Sequence, residues 1–465
     1  MATRYVLFWF DVEDCTVPQS DDCARRIAEI FTARGQRATM KLVGQKCRVL
    51  RERVRYKVID ALGKHAIGFH SDMHGGRPQP AEYMAPHEWL EGQREFETRE
   101  RRGVDEIEAM FGVTPCTYGQ PGSNWSPQVF PVLRQWGIPT YVSSFGYVGL
   151  HAQPFRYGGI VNTSRMGGTD RRGRPAQHVF GLGFDVGMPA AEARHHAAFD
   201  ASYELLEDGG MISIGYHPCQ LVLEEWFSTF LKPREQTLAG FERLDALLGW
   251  VLGHPEVECI TAEDLPRLYP DRAQGRVFSA EELRALALGV GDEVYFQGFE
   301  GMTLSAAELL GMFARFLAQA VREGTVPAGV SCEYVDGPAE RARLLGGPAT
   351  QCGPVEFARS VLMVADFLTE HGRVPDIIGA DTWTVPPGEW FCLAAQMVAH
   401  LVETGELAAQ ATTMMPVPRI EEHVSDEAAR NSWGSVMHYE GFDGSRLLEQ
   451  AMLQAWTLKP AILAR

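Results

Sequence analysis

The sequence predicts an α/β protein, with a parallel sheet or barrel in its first part and a mainly α-helical domain in its second. Three observations lead to this prediction. Short apolar segments alternate with longer amphipathic ones, polar side chains cluster after several apolar segments, and the composition changes near residue 270. Alternating strands and helices are typical of parallel sheets with right-handed crossovers, and a change in composition indicates a second domain.

The first predicted strand covers residues 5–10, Tyr-Val-Leu-Phe-Trp-Phe, which are apolar without alternation, as in a parallel strand buried on both faces. The next helix is predicted to begin at the capping side chains of Ser20, Asp21 and Asp22 and to end at Gly35. The pattern then predicts strands near 38–43, 66–69, 139–143, 211–216 and 258–261, with helices near 49–63 and 88–110.

The domain boundary is predicted in the Pro- and Gly-containing segment 265–275, which gives domains at 1–272 and 276–465. A chain of 465 residues is about three times a typical domain length, in keeping with two domains. Residues 276–465 hold 13 Lys and Arg against 25 Asp and Glu, so this part carries −12 of the net charge of −17. The two parts therefore differ in charge as well as in pattern.

Two helices are predicted in the second domain. Ser305 and Glu308 form a capping box ahead of an apolar stripe at helical spacing, namely Leu309, Leu310, Phe313, Phe316, Leu317 and Val321. A similar helix spans about 355–371 and ends at Gly372.

A Gly-x-Val-Pro segment follows both of these helices, at residues 324–327 and 372–375. This recurrence predicts two repeat-like modules, at about 303–340 and 354–390. Because repeated modules commonly bury their apolar stripe against a second copy, a homodimer through this domain is also predicted.

Composition excludes several classes of function. The net charge of −17 disfavours nucleic acid and anionic membranes as the main partners. No segment reaches the roughly 18 to 20 apolar residues of a membrane span, and the N-terminal residues lack the layout of a secretory signal, so a cytoplasmic protein is expected. The nine cysteines are never spaced as CxxC, which indicates reduced core residues rather than disulfides or a cysteine zinc site.

Polar side chains follow three of the predicted strands, and catalytic groups of such folds lie at the C-terminal ends of strands. His70 and His74 follow the strand at 66–69, with the four-residue spacing that brings two imidazoles to one side of a helical turn. Such a pair alone is weak evidence, but its position after a buried strand strengthens it. Imidazole with carboxylate suits one divalent cation, with Zn²⁺ first and Co²⁺, Ni²⁺ or Fe²⁺ as alternatives.

The acidic residues Asp11, Glu13 and Asp14 follow the first strand. They could cap the next helix, but clustered carboxylates at the end of a buried strand repel one another, and a cation relieves that repulsion. Asp11 and Glu13 share a side of an extended strand, which favours Asp11 as general base and Glu13 as metal ligand. Asp14 is the alternative ligand.

His217 follows the predicted strand at 211–216. An isolated histidine of this kind is more often a core residue than a catalyst. Its placement at a strand end, like that of the other polar clusters, favours a role as general acid that protonates a leaving amine.

These segments resemble motifs of the polysaccharide deacetylases with NodB homology, carbohydrate esterase family 4. Residues 10–14, Phe-Asp-Val-Glu-Asp, resemble the first motif, and residues 70–74, His-Ser-Asp-Met-His, fit the H(S/T)xxH metal motif. Residues 120–125, Gln-Pro-Gly-Ser-Asn-Trp, and residues 212–217, Ile-Ser-Ile-Gly-Tyr-His, resemble the third and last motifs. The resemblance covers about residues 1–270 and implies a distorted (β/α) barrel of seven or eight strands.

The resemblance implies a hydrolase of C–N bonds other than peptide bonds, a deacetylase with one bound metal ion. Asp11 would be the base and His217 the acid, and the third motif would form a substrate-binding wall of Gln120, Pro121, Gly122, Ser123 and Trp125. Since the N-terminus shows no export signal, the expected substrate is an intracellular N-acetyl amino sugar, an oligosaccharide or a related N-acylated metabolite.

The sequence departs from the family pattern in two places. The third motif of the family carries an Arg that orients the base, but Gly119 and Gln120 occupy the corresponding positions, and the acid-rich fourth motif has no counterpart. Three alternatives therefore stay open, namely a cyclic imide or ureide hydrolase on the same barrel, a carbohydrate-binding protein with a decayed site, and a scaffold whose acidic tail binds a partner. The second domain is faintly similar to pseudomurein-binding repeats.

Overall fold

The computed structural model describes residues 3–121, 125–144, 148–150, 153–164, 179–181, 189–204, 206, 208–226, 228–342, 351–380, 383–408, 411–412, 415–425 and 441–462. In the first part of the chain helices separate most of the strands, as predicted, but four strands after residue 139 follow one another without a helix between them among the described residues. The strands are β1 (Arg4–Val12), β2 (Thr39–Leu42), β3 (Ala66–Phe69), β4 (Thr140–Ser144), β5 (Phe155–Tyr157), β6 (Ile160–Ser164), β7 (Val179–Gly181), β8 (Met211–Tyr216) and β9 (Val257–Ile260). The helices are α1 (Pro18–Ala33), α2 (Gly44–Glu52), α3 (Tyr56–Leu62), α4 (Pro80–Met84), α5 (Trp89–Phe111), α6 (Val129–Gln135), α7 (Pro189–Glu204), α8 (Arg234–Leu252) and α9 (Leu265–Leu268).

The central sheet is parallel, with the strand order β7-β8-β1-β2-β3 and with β9 paired to the first part of β1. Tyr118 bridges β3 to β4, and β4 pairs in parallel with β6. This arrangement confirms the predicted α/β class. Because the strands are parallel, β1, β3 and β8 all end at the same edge of the sheet. The predicted functional residues follow these three strands.

The strands β1 and β8 are buried because their side chains are apolar on both faces, in keeping with helices packed around a parallel sheet. Their register places Gly215 beside Trp9, and a methyl group on Gly215 would lie only 2.0 Å from the Trp9 ring. A glycine is therefore required at this point so that β8 can pass the indole.

Two predicted helix boundaries are wrong. Helix α1 begins at Pro18, not at Ser20, because the preceding loop is held by the carboxylate of Asp14 and proline is favoured in the first helical turn. The helix predicted over 49–63 is divided into α2 and α3, and Val54 between them has a left-handed φ of 55°.

The second part contains the helices α10 (Ala280–Leu288), α11 (Ala306–Glu323), α12 (Pro354–His371), α13 (Pro387–Thr404) and α14 (Ser445–Gln454). Its short strands are β10 (Val277–Ser279), β11 (Gln297–Phe299), β12 (Met302–Leu304), β13 (Gly329–Ser331), β14 (Gln351–Cys352), β15 (Ile378–Ala380), β16 (Trp383–Val385), β17 (Ala411–Thr412) and β18 (Lys459–Pro460). The predicted capping box forms, since the Ser305 side chain accepts from the Glu308 N–H. Left-handed Gly372 ends α12, as predicted.

The second part repeats the order strand, helix, hairpin, helix, strand, once from β10 to β13 and once from β14 to β17. In each copy the first strand pairs with the last. This order equates α10 with α12 and α11 with α13, whereas the modules predicted at 303–340 and 354–390 equate α11 with α12. Helix α11 packs against α12 and α13, and its apolar stripe is buried within the chain. The homodimer was predicted because repeated modules commonly bury such a stripe against a second copy. Since this stripe is buried within the chain, it does not support a homodimer.

The two parts of the chain share one sheet and several buried contacts. Strand β18 pairs antiparallel with β5, and the buried ammonium of Lys459 contacts the carboxylates of Glu308 and Asp271 at 2.7 and 2.8 Å. The predicted linker at 265–275 is folded, since it contains α9 and the Tyr269 side chain is buried. The division into domains at 272 and 276 stays a prediction. Within the described residues, every helix is too short or too polar to cross a membrane.

Candidate active site

The candidate site lies where β1, β3 and β8 end. Asp11 is the last residue but one of β1, and Glu13 follows the strand. His70 follows β3 and His217 follows β8. His74 is carried by the loop after His70. Although these residues are up to about 200 positions apart, the parallel sheet brings their side chains together, as the sequence predicts.

Two imidazoles converge on one carboxylate. The Nε2 atoms of His70 and His74 lie 3.2 and 3.1 Å from Glu13 Oε2. One donor atom from each of the three residues lies within 4.8 Å of the others, and all three side chains are at most 5% exposed. A carboxylate and two imidazole nitrogens in this arrangement suit a divalent cation of the zinc type.

The orientation of His70 fits metal binding. Its Nδ1 lies 2.6 Å from the carbonyl oxygen of Gly119, so Nδ1 carries the proton and donates it to that oxygen. The lone pair of Nε2 then faces Glu13. A hydrogen bond from the second ring nitrogen to a carbonyl is the usual way in which proteins fix the tautomer of a metal-ligating histidine.

The loop that joins the two histidines is not helical, which corrects the expectation of a helical turn. Ser71 has a left-handed φ of 67°, and the two imidazole rings stack with centroids 5.3 Å apart. Buried Glu100 holds this loop, since its carboxylate accepts hydrogen bonds from the Asp72 N–H at 2.6 Å and from the Tyr83 hydroxyl at 2.9 Å. Burial raises the pKa of Glu100 to about 7, against the lowering effect of these two donors.

The charges in the cluster shift its pKa values in both directions. Burial would raise the pKa of Glu13, but the charges of His74 and His217 and a hydrogen bond from His74 lower it instead. Burial lowers the pKa of His70, whereas for His74 the negative charge of Glu13 outweighs burial and raises the pKa.

Asp11 lies beside this cluster, between the ammonium of Lys41 and the imidazole of His217. Its Oδ1 forms an ion pair of 2.8 Å with the ammonium of Lys41, and its Oδ2 lies 3.4 Å from Nε2 of His217. Burial would raise the pKa of Asp11, but the charges of His70 and Lys41 and a hydrogen bond from His217 bring it well below its usual value. An ionised carboxylate is the state that a general base requires.

A second group of potential ligands overlaps the first and consists of Asp11, Glu13 and His217. The first group has the better-defined donor orientation, because the Gly119 carbonyl fixes the ring of His70. Asp11 in the second group already has an ammonium partner.

Asp14 does not join the cluster. Its Oδ1 accepts from the N–H of Thr16 at 3.3 Å and its Oδ2 accepts from the N–H of Val17 at 3.4 Å, just before α1. Lys46 binds the backbone carbonyl of Asp14 and the buried carboxylate of Asp21, which ties the loop to α2. Of the two acidic residues predicted as ligands, Glu13 is the one that faces the imidazoles.

The predicted substrate-binding wall is described in part. Gly122 and Ser123 lie outside the described residues. Gln120 is buried and its Oε1 accepts a hydrogen bond of 3.0 Å from the Ser126 N–H, while Pro121 beside it is also buried. Trp125 is 2% exposed and packs against the rings of Phe130 and Tyr157. Its surroundings are those of a core residue.

Three residues near the site were not predicted. Lys41 could have been noticed as a lysine inside a buried strand, and Glu100 as an acid on the apolar face of α5. Trp226 lies in the loop after β8, is 40% exposed, and places its ring with an edge-to-face centroid distance of 4.6 Å from the ring of His217. No spacing in the sequence distinguishes this tryptophan from a core residue.

No family model matches the chain, and no curated protein matches it. It is similar to solved structures. A putative polysaccharide deacetylase from Mycobacterium smegmatis is 17% identical, with 57% of this chain and 90% of that chain covered and a TM-score of 0.38. A probable polysaccharide deacetylase from Pseudomonas aeruginosa PAO1 is 15% identical, with 58% of this chain and 91% of that chain covered and a TM-score of 0.39. Puue allantoinase is 13% identical, with 58% of this chain and 90% of that chain covered and a TM-score of 0.38. Similarity at this level does not distinguish a deacetylase from an allantoinase.

Proposed function

We propose that this protein is a metal-dependent hydrolase that removes an N-acyl group, in particular an acetyl group, from an amino sugar or a related metabolite. One observation carries the proposal. Two imidazoles converge on the carboxylate of Glu13, and a second, ionised carboxylate and a third imidazole lie directly beside them. This is the set of groups that metal-assisted amide hydrolysis needs, namely a cation site, a base and an acid.

Glu13, His70 and His74 would hold the cation. When bound, a divalent cation of this kind supplies Lewis acidity and lowers the pKa of water towards about 7. The carbonyl of Gly119 keeps His70 in the tautomer that leaves Nε2 available, and Glu100 keeps the loop of His74 in place. These contacts preorganise the ligands before any substrate binds.

Asp11 would accept the proton of the attacking water. Its carboxylate is at the end of β1 and has a pKa well below its usual value, so it is ionised at neutral pH. His217 would then donate a proton to the amine so that the C–N bond can break. The distance of 3.4 Å between Asp11 Oδ2 and His217 Nε2 supports the assignment of the two proposed proton-transfer groups to one site.

Trp226 supports a sugar as substrate. Its indole is 40% exposed and stands next to His217, the proposed proton donor. A partly exposed aromatic ring beside polar catalytic groups offers an apolar face against which a sugar ring can lie.

The test joins metal analysis to product identification. Wild-type protein, His74→Ala and His87→Ala are purified, loaded in turn with Zn²⁺, Co²⁺, Ni²⁺ and Fe²⁺, and assayed for bound metal and for acetate released from N-acetyl amino sugars and their oligosaccharides. His87 is a matched control, since it lies outside the cluster and contacts only Glu91 among carboxylates of the described residues. We expect about one metal per chain and acetate release in wild type and His87→Ala, and loss of both in His74→Ala.

Other outcomes identify the alternatives. Ring opening of a cyclic imide or ureide without acetate release would reassign the reaction to that class of hydrolase. Stoichiometric metal with saccharide binding but no turnover would indicate a binding protein. Absence of bound metal in the wild type would refute the proposal.

A further inference from the structure

Lys41 is a buried lysine in the sheet that carries the candidate site. It lies in β2, in register with Asp11 of β1, and its side chain is 2% exposed. Removing an ammonium group from water costs several kcal/mol unless it has well-placed partners. The groups around the Lys41 ammonium therefore indicate why a lysine is present here.

The ammonium contacts two groups of β1 and one group of β4. It forms the 2.8 Å ion pair with Asp11 Oδ1, donates a hydrogen bond of 2.9 Å to the carbonyl oxygen of Val142, and lies 4.1 Å from the ring centroid of Trp9. The carbonyl and the ring hold the nitrogen in place, and the nitrogen in turn holds one oxygen of Asp11.

Gly119 provides the space that the ammonium occupies. A methyl group on Gly119 would lie 2.6 Å from Lys41 Nζ and 2.3 Å from the Val142 oxygen, both too close. The carbonyl of the same glycine accepts the hydrogen bond that orients His70. One backbone position thus accommodates the lysine and orients a proposed metal ligand.

We propose that Lys41 is the positioning residue of the base. It holds Oδ1 of Asp11, so that Oδ2 faces His217 and the reacting water. The inference rests on the proposed function, and it explains how the base is oriented in a chain that has Gly119 and Gln120 in place of an arginine. Among the described residues, no hydrogen bond joins Gln120 to Asp11, so this role falls to the lysine.

The test compares neutral and charged replacements of Lys41. Lys41→Met removes the charge, Lys41→Gln removes the charge but retains a donor for the Val142 carbonyl, and Lys41→Arg retains the charge. Lys459→Met is the matched control, because Lys459 is equally buried and paired with carboxylates outside the site. Bound metal, kcat and KM are measured for each folded variant, with the acetate assay described above.

We expect both neutral variants to bind metal at the wild-type ratio, since Glu13, His70 and His74 are unchanged. Their kcat is expected to fall by at least about 100-fold, the usual contribution of a positioned base, while KM changes by less than about threefold. Lys41→Arg should recover part of the kcat, and Lys459→Met should keep the wild-type kcat per folded molecule. Should Lys41→Met fail to fold, Lys41→Gln provides the comparison.

Two results would overturn the inference. A folded neutral variant with kcat within about threefold of wild type would show that Asp11 does not need the lysine. Loss of metal in parallel with kcat would show that Lys41 supports the ligands rather than the base. The proposed function fails separately, by absence of turnover in the wild type, and the role of Lys41 as a positioning residue fails with it.

Discussion

Replacement of Glu100 by glutamine is expected to raise stability at alkaline pH and to change it little at acid pH. Glu100 is 5% exposed and its pKa is raised from 4.5 to about 7 by burial. The folded protein therefore binds this proton more tightly than the unfolded chain, and stability falls as the pH rises from 4.5 through about 7. At about 1.4 kcal/mol for each pKa unit, the ionised carboxylate costs the folded state about 3 kcal/mol.

Glutamine removes this charge and resembles the protonated carboxyl group. As an ionised carboxylate, Glu100 accepts hydrogen bonds from the Asp72 N–H and from the Tyr83 hydroxyl. The protonated group instead offers one acceptor oxygen and one donor, and the glutamine amide offers both as well. At about pH 5, where Glu100 is protonated in the folded protein, Glu100→Gln should therefore lie within about 1 kcal/mol of wild type. At about pH 8, the relief of the buried charge should make it more stable than wild type by up to about 3 kcal/mol.

Urea unfolding followed by circular dichroism at the two pH values measures the difference, in the presence of a chelator so that metal binding does not contribute. All other titrating groups are common to both proteins and cancel in the comparison. Glu95→Gln is the control, because Glu95 lies on the same helix in a partly exposed pair with Arg99 and should not become more stable than wild type at the higher pH. The same difference in stability between Glu100→Gln and wild type at both pH values would refute the reasoning.

Three further predictions concern the fold. Burial lowers the pKa of His65 from 6.5 to about 4, so the free energy of unfolding of wild type should fall by about 3 kcal/mol as the pH falls from 6.5 to about 4. In urea unfolding at a series of pH values, the free energy of unfolding of His65→Gln should depend less on pH, and an unchanged slope would contradict this. Lys459→Met leaves Glu308 buried without its ammonium and should lower the free energy of unfolding by about 3–5 kcal/mol, against less than about 1 kcal/mol for Arg322→Met in its exposed pair with Asp366. Similar losses in these two variants would show that burial is not the cause. Gly215→Ala forces a methyl group against the Trp9 ring and should cost about 2 kcal/mol or more in the same assay, whereas wild-type stability would mean that β8 shifts freely.

The strands that carry the site could be predicted because each is a short apolar segment followed by polar residues. Parallel pairing then brings Asp11, Glu13, His70 and His217 to one edge without further information. Sequence could not separate Glu13 from Asp14, because the choice depends on where each side chain points. The loop after β1 turns Asp14 towards the start of α1 instead.

Lys41 could not be assigned for a different reason. Its partners Asp11 and Val142 are distant in sequence and meet it only in the folded sheet. The break at Val54 is also invisible to a periodicity argument, since neither glycine nor proline marks it. In the second part, strands of two or three residues are too short to show alternation, and the repeat from β10 to β17 emerges only from their pairing.

The pairing of β18 with β5 joins segments about 300 residues apart, which has a consequence for biosynthesis. A ribosome releases β5 long before its antiparallel neighbour has been translated. Until Lys459 emerges, the carboxylates of Glu308 and Asp271 lack the ammonium group that neutralises them in the finished molecule. Nascent chains should therefore complete this part of their compaction only after Lys459 has left the exit tunnel, and chaperone dependence is expected to be greatest in the interval before that.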